Sequence, residues 1–222
     1  EIRDKAGSRL EAAMRIPDKK QRSDALSEIG GEVRDAYLSA FRREKIAFDS
    51  LEAIDARRGE ESQLSADVKE ILHDLRAEVV RNRVLESGER IDGRGTSDIR
   101  PIACELRVVP RPHGVAVFTR GETQALVTTT LGGRFDAQTI DSLTARYTKS
   151  FYLHYNFPGY STGEPRPNRG PGRREVGHGN LAERAIKPVL PNAEEFPYTI
   201  RIVSETLESN GSSSMAAICG GT

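Results

Sequence analysis

The 222 residues predict an α+β protein: a small all-α helical region, then a domain with a mixed β-sheet and packed helices. Three observations predict it. Residues 1–86 hold no strand-like run, and their apolar residues recur at helical spacing. A polar, Gly-punctuated link then runs from Glu89 to Gly95. Beyond it the order is β-rich, then α, β, α. The expected domains are therefore 1–86, all-α, and 87–222, sheet plus helices.

In the first region Leu10, Ala13 and Met14 mark one apolar edge, and Pro17 either breaks the pattern or opens the next helix. Leu26, Ile29, Val33, Tyr37 and Phe41 share a helical face despite the Gly30-Gly31 pair. Phe48, Leu51 and Ile54 continue the pattern up to a turn expected at Gly59. Ser65 is the expected N-cap of a last helix, whose stripe is Val68, Ile71, Leu72, Leu75, Val79 and Val80 and whose stop is Gly88. The charge-rich faces read as solvated, and nothing here looks catalytic.

In the second region Leu106-Arg107-Val108-Val109 reads as a strand stopped by Pro110 and Pro112. Val115–Thr119 and Gln124–Thr130 read as a hairpin turned at Arg120-Gly121-Glu122. Residues 138–142 and 150–156 are expected to form another pair, with Phe151, Leu153 and Tyr155 alternating. The Pro- and Gly-rich segment 157–172 is a long loop of the functional kind. A helix follows over Arg173–Lys187, with Leu181, Ala182, Ala185 and Ile186 inward, then a strand from Tyr198.

Composition bounds the function. Lys plus Arg and Asp plus Glu number 33 each, so the formal net charge is zero and any RNA contact must rest on a local basic patch. The two cysteines, Cys104 and Cys219, are far apart without metal-ligand spacing and read as buried thiols, which fits a reducing compartment. No apolar run is long enough to span a bilayer, and no signal peptide is visible. The chain opens at Glu1 and stops at Gly220-Gly221-Thr222, which reads as an internal piece of a longer polypeptide.

Two stretches carry chemistry. Ser209-Asn210-Gly211-Ser212-Ser213-Ser214-Met215 follows the last strand and leads into small, apolar residues that suit a helix. A strand, a Ser-rich turn and a helix start aim unpaired N–H groups and hydroxyls at one spot, which suits an anion. The plainer reading is a turn with an N-cap. Arg169-Gly170-Pro171-Gly172-Arg173-Arg174-Glu175-Val176-Gly177-His178-Gly179 is the second. Arginine offers phosphate a planar fork of donors, and histidine moves protons near neutral pH. The plainer reading is an Arg pair bonded to surface carboxylates beside a satisfied histidine. Magnitudes separate the cases. Millimolar phosphate affinity needs about 4 kcal/mol. A helix terminus supplies roughly 0.3–1 kcal/mol, and charge-assisted hydrogen bonds roughly 1.5–3 kcal/mol each. The serine turn alone is marginal, whereas the turn plus one or two arginines suffices. The phosphate reading therefore requires the two stretches to meet in space.

Several multi-residue motifs, in order, resemble the bacterial polynucleotide phosphorylase family: Arg90-Ile91-Asp92-Gly93-Arg94, Phe118–Val127 (FTRGETQALV), Phe151–Pro158 (FYLHYNFP), Arg173–Gly179 (RREVGHG) and Ser209–Met215 (SNGSSSM). The resemblance covers residues from about 89 to 222; residues 1–86 resemble the family's helical linker domain in position and character. It implies the first part of the second ribonuclease PH-like domain, within a homotrimeric ring that threads single-stranded RNA and also carries KH and OB-type RNA-binding domains. The implied activity uses inorganic phosphate to shorten RNA from its 3′ end, releasing nucleoside diphosphates, reversibly as template-independent polymerisation, in mRNA turnover. Carried over, Ser212, Ser213 and Ser214 match the phosphate-holding turn, with Ser213 and Ser214 foremost. Arg173 and Arg174 match the pair near the scissile phosphate, and His178 matches a histidine linked to activity. The family's Mg2+ or Mn2+ ligands are expected beyond Thr222, so no metal ligand is assigned here and these residues alone are expected to be inactive. A cytoplasmic location and RNA-degradation assembly partners are implied, without a membrane. Alternatives are a guanosine polyphosphate synthetase variant, a stand-alone tRNA-trimming ribonuclease PH, and a non-catalytic RNA-binding ring subunit of an exosome-like assembly. The helical region and the RREVGHG and SNGSSS wording count against the tRNA-trimming reading.

Overall fold

In the computed structural model, which describes residues 2–44, 50–165, 167 and 170–222, the contacts divide the chain into two units, Glu1–Asp98 and Ile99–Thr222. The first unit is all-α: α1 Ile2–Ala13, α2 Lys19–Arg43 and α3 Leu51–Ser87. Pro17 breaks the pattern, and Asp18 then caps α2 by accepting from the Gln21 amide at 2.7 Å. Gly30 lies within α2, where its missing side chain leaves room for the Arg76 guanidinium, which donates to the Leu26 carbonyl at 3.1 Å. The core is Ile2, Ala6, Leu10, Ala13 and Met14 against Leu26, Ile29, Val33, Val68 and Leu72. Gly88, at φ 71°, ends α3, and its N–H reaches the Val84 carbonyl.

Three expectations in this unit are corrected. Gly59 is no turn and Ser65 no cap: α3 runs through both, and its cap is Ser50, which accepts from Ala53 N at 3.1 Å. One interior glycine costs about 1 kcal/mol, too little to break a helix whose later turns pack on α1 and α2 through Val68 and Leu72. Leu51 does not extend the apolar face, being 81% exposed, and Phe48 lies outside the described residues.

In the second unit a five-stranded sheet has the order β1-β2-β3-β7-β6. Its strands are β1 Ile102–Leu106, β2 Gly114–Arg120, β3 Thr123–Gly132, β6 Phe151–Asn156 and β7 Thr199–Glu208. All neighbours are antiparallel except β6 and β7, which makes the sheet mixed, as the sequence predicts. Helices α4 Arg173–Ile186 and α5 Ser213–Gly221 pack on it around Phe118, Val127, Leu153, Ile186, Ile202, Ala216 and Ala217. The approach is close: a Cβ on Gly220 would lie 2.7 Å from Val127 Cγ2.

Four details differ from expectation. The first strand ends at Leu106, because Arg107 takes a left-handed φ of 59° and stops it ahead of Pro110. Residues 138–142 and 150–156 do not pair. Instead β4 Gln138–Asp141 folds back on β5 Arg146–Lys149 through a Ser142–Ala145 turn, and β6 pairs with β7. The buried row Phe151, Leu153, Tyr155 needs the core face of the large sheet, which a lone hairpin lacks. Ala185 is exposed on α4, and Leu181 only half-buried. Both cysteines are exposed, Cys104 because β1 is an edge strand with every residue exposed, Cys219 because α5 buries Ala216 and Ala217 instead.

Candidate phosphate-binding site

The site forms where the ends of β7 and β6 deliver the starts of α5 and α4. Strand β7 ends at Glu208, and the chain reverses through two left-handed residues, Gly211 (φ 89°) and Ser212 (φ 50°). A left-handed non-glycine costs of order 1–3 kcal/mol and persists only where its surroundings hold it. The hairpin turn between β2 and β3 does the holding. The buried Thr123 hydroxyl accepts from the Asn210 amide (3.0 Å) and donates to the Gly211 carbonyl (3.1 Å). Arg120 Nη2 donates to the same carbonyl at 3.0 Å, and the Asn210 side chain donates to Glu122. Ser161, in the 157–172 loop, anchors the other side: its carbonyl accepts from Ser209 N at 2.9 Å and its hydroxyl donates to the Thr206 carbonyl at 2.7 Å.

The three serines then differ. Ser212 is exposed and its side chain makes no capping bond. Ser213 and Ser214 occupy the first two positions of α5, where helix geometry leaves N–H groups without intrahelical acceptors. Both side chains are buried, at 2% and 8% exposure. The Ser213 hydroxyl is 2.7 Å from the Tyr155 hydroxyl, in a buried contact.

Helix α4 begins after Gly172, whose N–H donates to the Glu175 carboxylate at 3.1 Å. Arg173 and Arg174 fill its first two positions, where the helix dipole disfavours positive charge. Arg173 is exposed. Arg174 lies over the Phe157 ring, 4.3 Å from its centroid. One turn on, on the same helix face, His178 meets Tyr155 edge-on, with ring centroids 5.3 Å apart. Tyr155 and Phe157 stack at 6.3 Å.

The two stretches thus meet. Ser213, His178 and Arg174 converge on the aromatic pair Tyr155 and Phe157, and Arg173, Arg174 and Ser212 are exposed at the two helix starts. The sequence reading gave no role to Tyr155, Phe157, Arg120 or Thr123. The signal was available: all four lie in the FYLHYNFP and FTRGETQALV motifs. Chemically, the arrangement offers N–H groups, hydroxyls and a guanidinium, that of Arg174, without a carboxylate partner among the described residues, a donor set for an anion. It does not fit a metal: among the described residues no three His, Cys, Asp or Glu side chains are grouped to hold one.

The comparisons with known proteins place the sequence in a class. The family model of the 3′ exoribonuclease family, domain 1, matches residues 98–222. That of the polyribonucleotide nucleotidyltransferase RNA-binding domain matches residues 1–95. The second unit is therefore an exoribonuclease-type domain 1. A polyribonucleotide nucleotidyltransferase of Sorangium cellulosum is 53% identical over 96% of this chain and 26% of its own length. One of Pelobacter propionicus is 52% identical over 99% of this chain and 28% of its own, and one of Leptospira biflexa 50% over 100% and 29%. The chain belongs to the polyribonucleotide nucleotidyltransferase family, and it spans less than a third of the length of these curated relatives. A crystal structure of rice (Oryza sativa) Rrp46 aligns with 59% of this chain and 57% of its own at 21% identity, with a TM-score of 0.41.

Proposed function

We propose that this chain supplies the phosphate-binding part of a phosphorolytic 3′ exoribonuclease acting on single-stranded RNA. The observation that carries the reading is the convergence of Ser213, His178 and Arg174 on Tyr155 and Phe157. Inorganic phosphate sits at the start of α5, held by the N–H groups and hydroxyls of Ser213 and Ser214, by the Ser212 hydroxyl and by Arg174. Arg173 and Arg174 hold the terminal phosphodiester beside it. A phosphate oxygen attacks that phosphorus in line, and the bond to the 3′ oxygen of the preceding nucleotide breaks. The products are a nucleoside diphosphate and an RNA one nucleotide shorter. The released 3′ oxygen takes up a proton, for which His178 is the nearby donor. Catalysis here is positioning and charge neutralisation, since the transferred group needs little covalent help. The reverse reaction is template-independent polymerisation from diphosphates.

The family resemblance implies Mg2+ or Mn2+, which would stabilise the leaving oxygen. The described residues form no set to hold it, and no step is derived through it. We extend the reading to a cytoplasmic homotrimer serving mRNA turnover with RNA-degradation partners; no helix among the described residues is long and apolar enough to cross a membrane.

The test is to incubate the whole polypeptide with poly(A) and magnesium, with and without inorganic phosphate, and to identify the mononucleotides released. Phosphate-dependent release of adenosine diphosphate is expected. Release of monophosphate without phosphate, or RNA binding with no release, would overturn the reading, the latter in favour of a non-catalytic ring subunit.

A further inference from the structure

Resting on that reading, we propose that Tyr155 is a positioning residue, which sets the Ser213 hydroxyl and the His178 ring so that the starts of α5 and α4 act on one phosphate. The inner face of β6 is otherwise apolar: Phe151 and Leu153 precede Tyr155, and Phe157 follows the strand. Packing alone would be served by a third phenylalanine, since a buried phenol needs a hydrogen-bond partner to offset its desolvation. Tyr155 is 3% exposed, and its hydroxyl meets Ser213 Oγ at 2.7 Å. Ser213 is 2% exposed. This is a pair of buried side chains that bonds no backbone group among the described residues. Replacing both members of such a pair by apolar groups is nearly neutral for folding, so the fold gives little reason to keep it.

The pair does act on the site. When the phenol donates to Ser213 Oγ, the serine proton is released to turn toward an anion at the helix start. The same ring sets His178. The Nδ1 atom of His178 is buried and has no hydrogen-bond partner among the described residues, so the imidazole plane is fixed by packing against Tyr155. Through Phe157, the aromatic pair also seats Arg174. One side chain therefore touches the first residue of α5 and a residue in the second turn of α4.

The experiment measures phosphorolysis by the whole polypeptide at varied phosphate and varied RNA. Tyr155→Phe keeps the ring and removes only the hydroxyl. We expect the KM for phosphate to rise about 10- to 100-fold, the scale of one hydrogen bond to a charged group. The KM for RNA and kcat at saturating phosphate should stay within about twofold, again well under the value of one such bond. Tyr155→Phe combined with Ser213→Ala should be no worse than Ser213→Ala alone, because both remove the same contact. A general loss of structure would instead lower kcat and shift both KM values. Unchanged phosphate KM in Tyr155→Phe, or multiplicative effects in the double variant, overturns the proposal. If Ser213→Ala and Arg174→Ala leave phosphate KM and kcat untouched, the phosphate site itself is wrong. If they impair the reaction and Tyr155→Phe does not, only the role of Tyr155 is wrong.

Discussion

The two units spend their polar groups in opposite ways. In the helical unit the buried residues among those described are all apolar, and three arginines sit on carboxylates: Arg9 on Glu32, Arg42 on Glu61, and Arg57, which also lies over the Phe41 ring, on Glu44 and Glu60. In the sheet unit Thr123, Ser161, Thr199, Ser204, Thr206, Ser213 and Ser214 are buried, and Arg174 rests on an aromatic ring instead of an acid. Ser204 Oγ and Thr206 Oγ1 are buried without a partner among the described residues. Buried unsatisfied hydroxyls cost roughly 1–3 kcal/mol each, and cations at a helix start are unfavourable as well. The difference teaches where function lies. Among the described residues the helical unit buries no hydroxyl and leaves one donor, Arg76 Nε, buried without a partner, whereas the sheet unit leaves hydroxyls buried without partners along the strand that leads to α5.

The largest effect should come from breaking that contrast directly. Arg174→Ala is expected to lower kcat/KM for phosphorolysis at least 100-fold, the usual scale for a clamp on a transferring phosphoryl group. Arg42→Ala, which removes an arginine of the helical unit, should leave it within twofold, since an exposed ion pair contributes little. Equal losses in the two variants would erase the distinction. Next comes Gly220→Ala. Its new methyl would enter the space of Val127 and Phe118, and overpacking of this kind costs about 1–3 kcal/mol. Urea unfolding followed in the sheet unit should show a lowered midpoint; an unchanged midpoint would mean that α5 is free to shift on the sheet.

The smallest effect concerns pH. Burial holds His154 below the ordinary imidazole value, helped by Arg201, whose Nη2 lies 3.4 Å from Nδ1, and opposed by Glu183. The folded unit therefore favours the neutral ring. As pH falls below about 6.5, the ordinary value, the unfolded chain takes up a proton that the folded one resists, and stability is lost. His154→Gln should make the drop in urea midpoint between pH 7.5 and 5.5 shallower. A steeper drop would reverse the sign of the account.

Much of this was legible in the sequence, and what was missed has physical causes. The hairpin around Gly121, the extent of α4 and the stop at Gly88 follow from local rules of alternation, periodicity and left-handed glycine. Helix α3 was misread because Gly59 and Ser65 carry local stop and start signals that tertiary packing overrides. The parallel pairing of β6 with β7 joins strands separated by a loop and a whole helix, and no local pattern encodes it. The same holds at the site. Residue types and motifs named the serines, the arginine pair and His178, but their meeting depends on that pairing, which brings Tyr155 under Ser213. Tyr155 itself reads in sequence as one more apolar position of an alternating strand.

The most direct test of the central claim is equilibrium binding of radiolabelled inorganic phosphate to the whole polypeptide, without RNA. The comparison is between the native sequence, Arg174→Ala, and Ser213→Ala with Ser214→Ala. The account predicts binding at about millimolar phosphate, weakened about tenfold or more in both altered proteins. Phosphate binding that survives unchanged in both would contradict it and place the anion site elsewhere in the molecule.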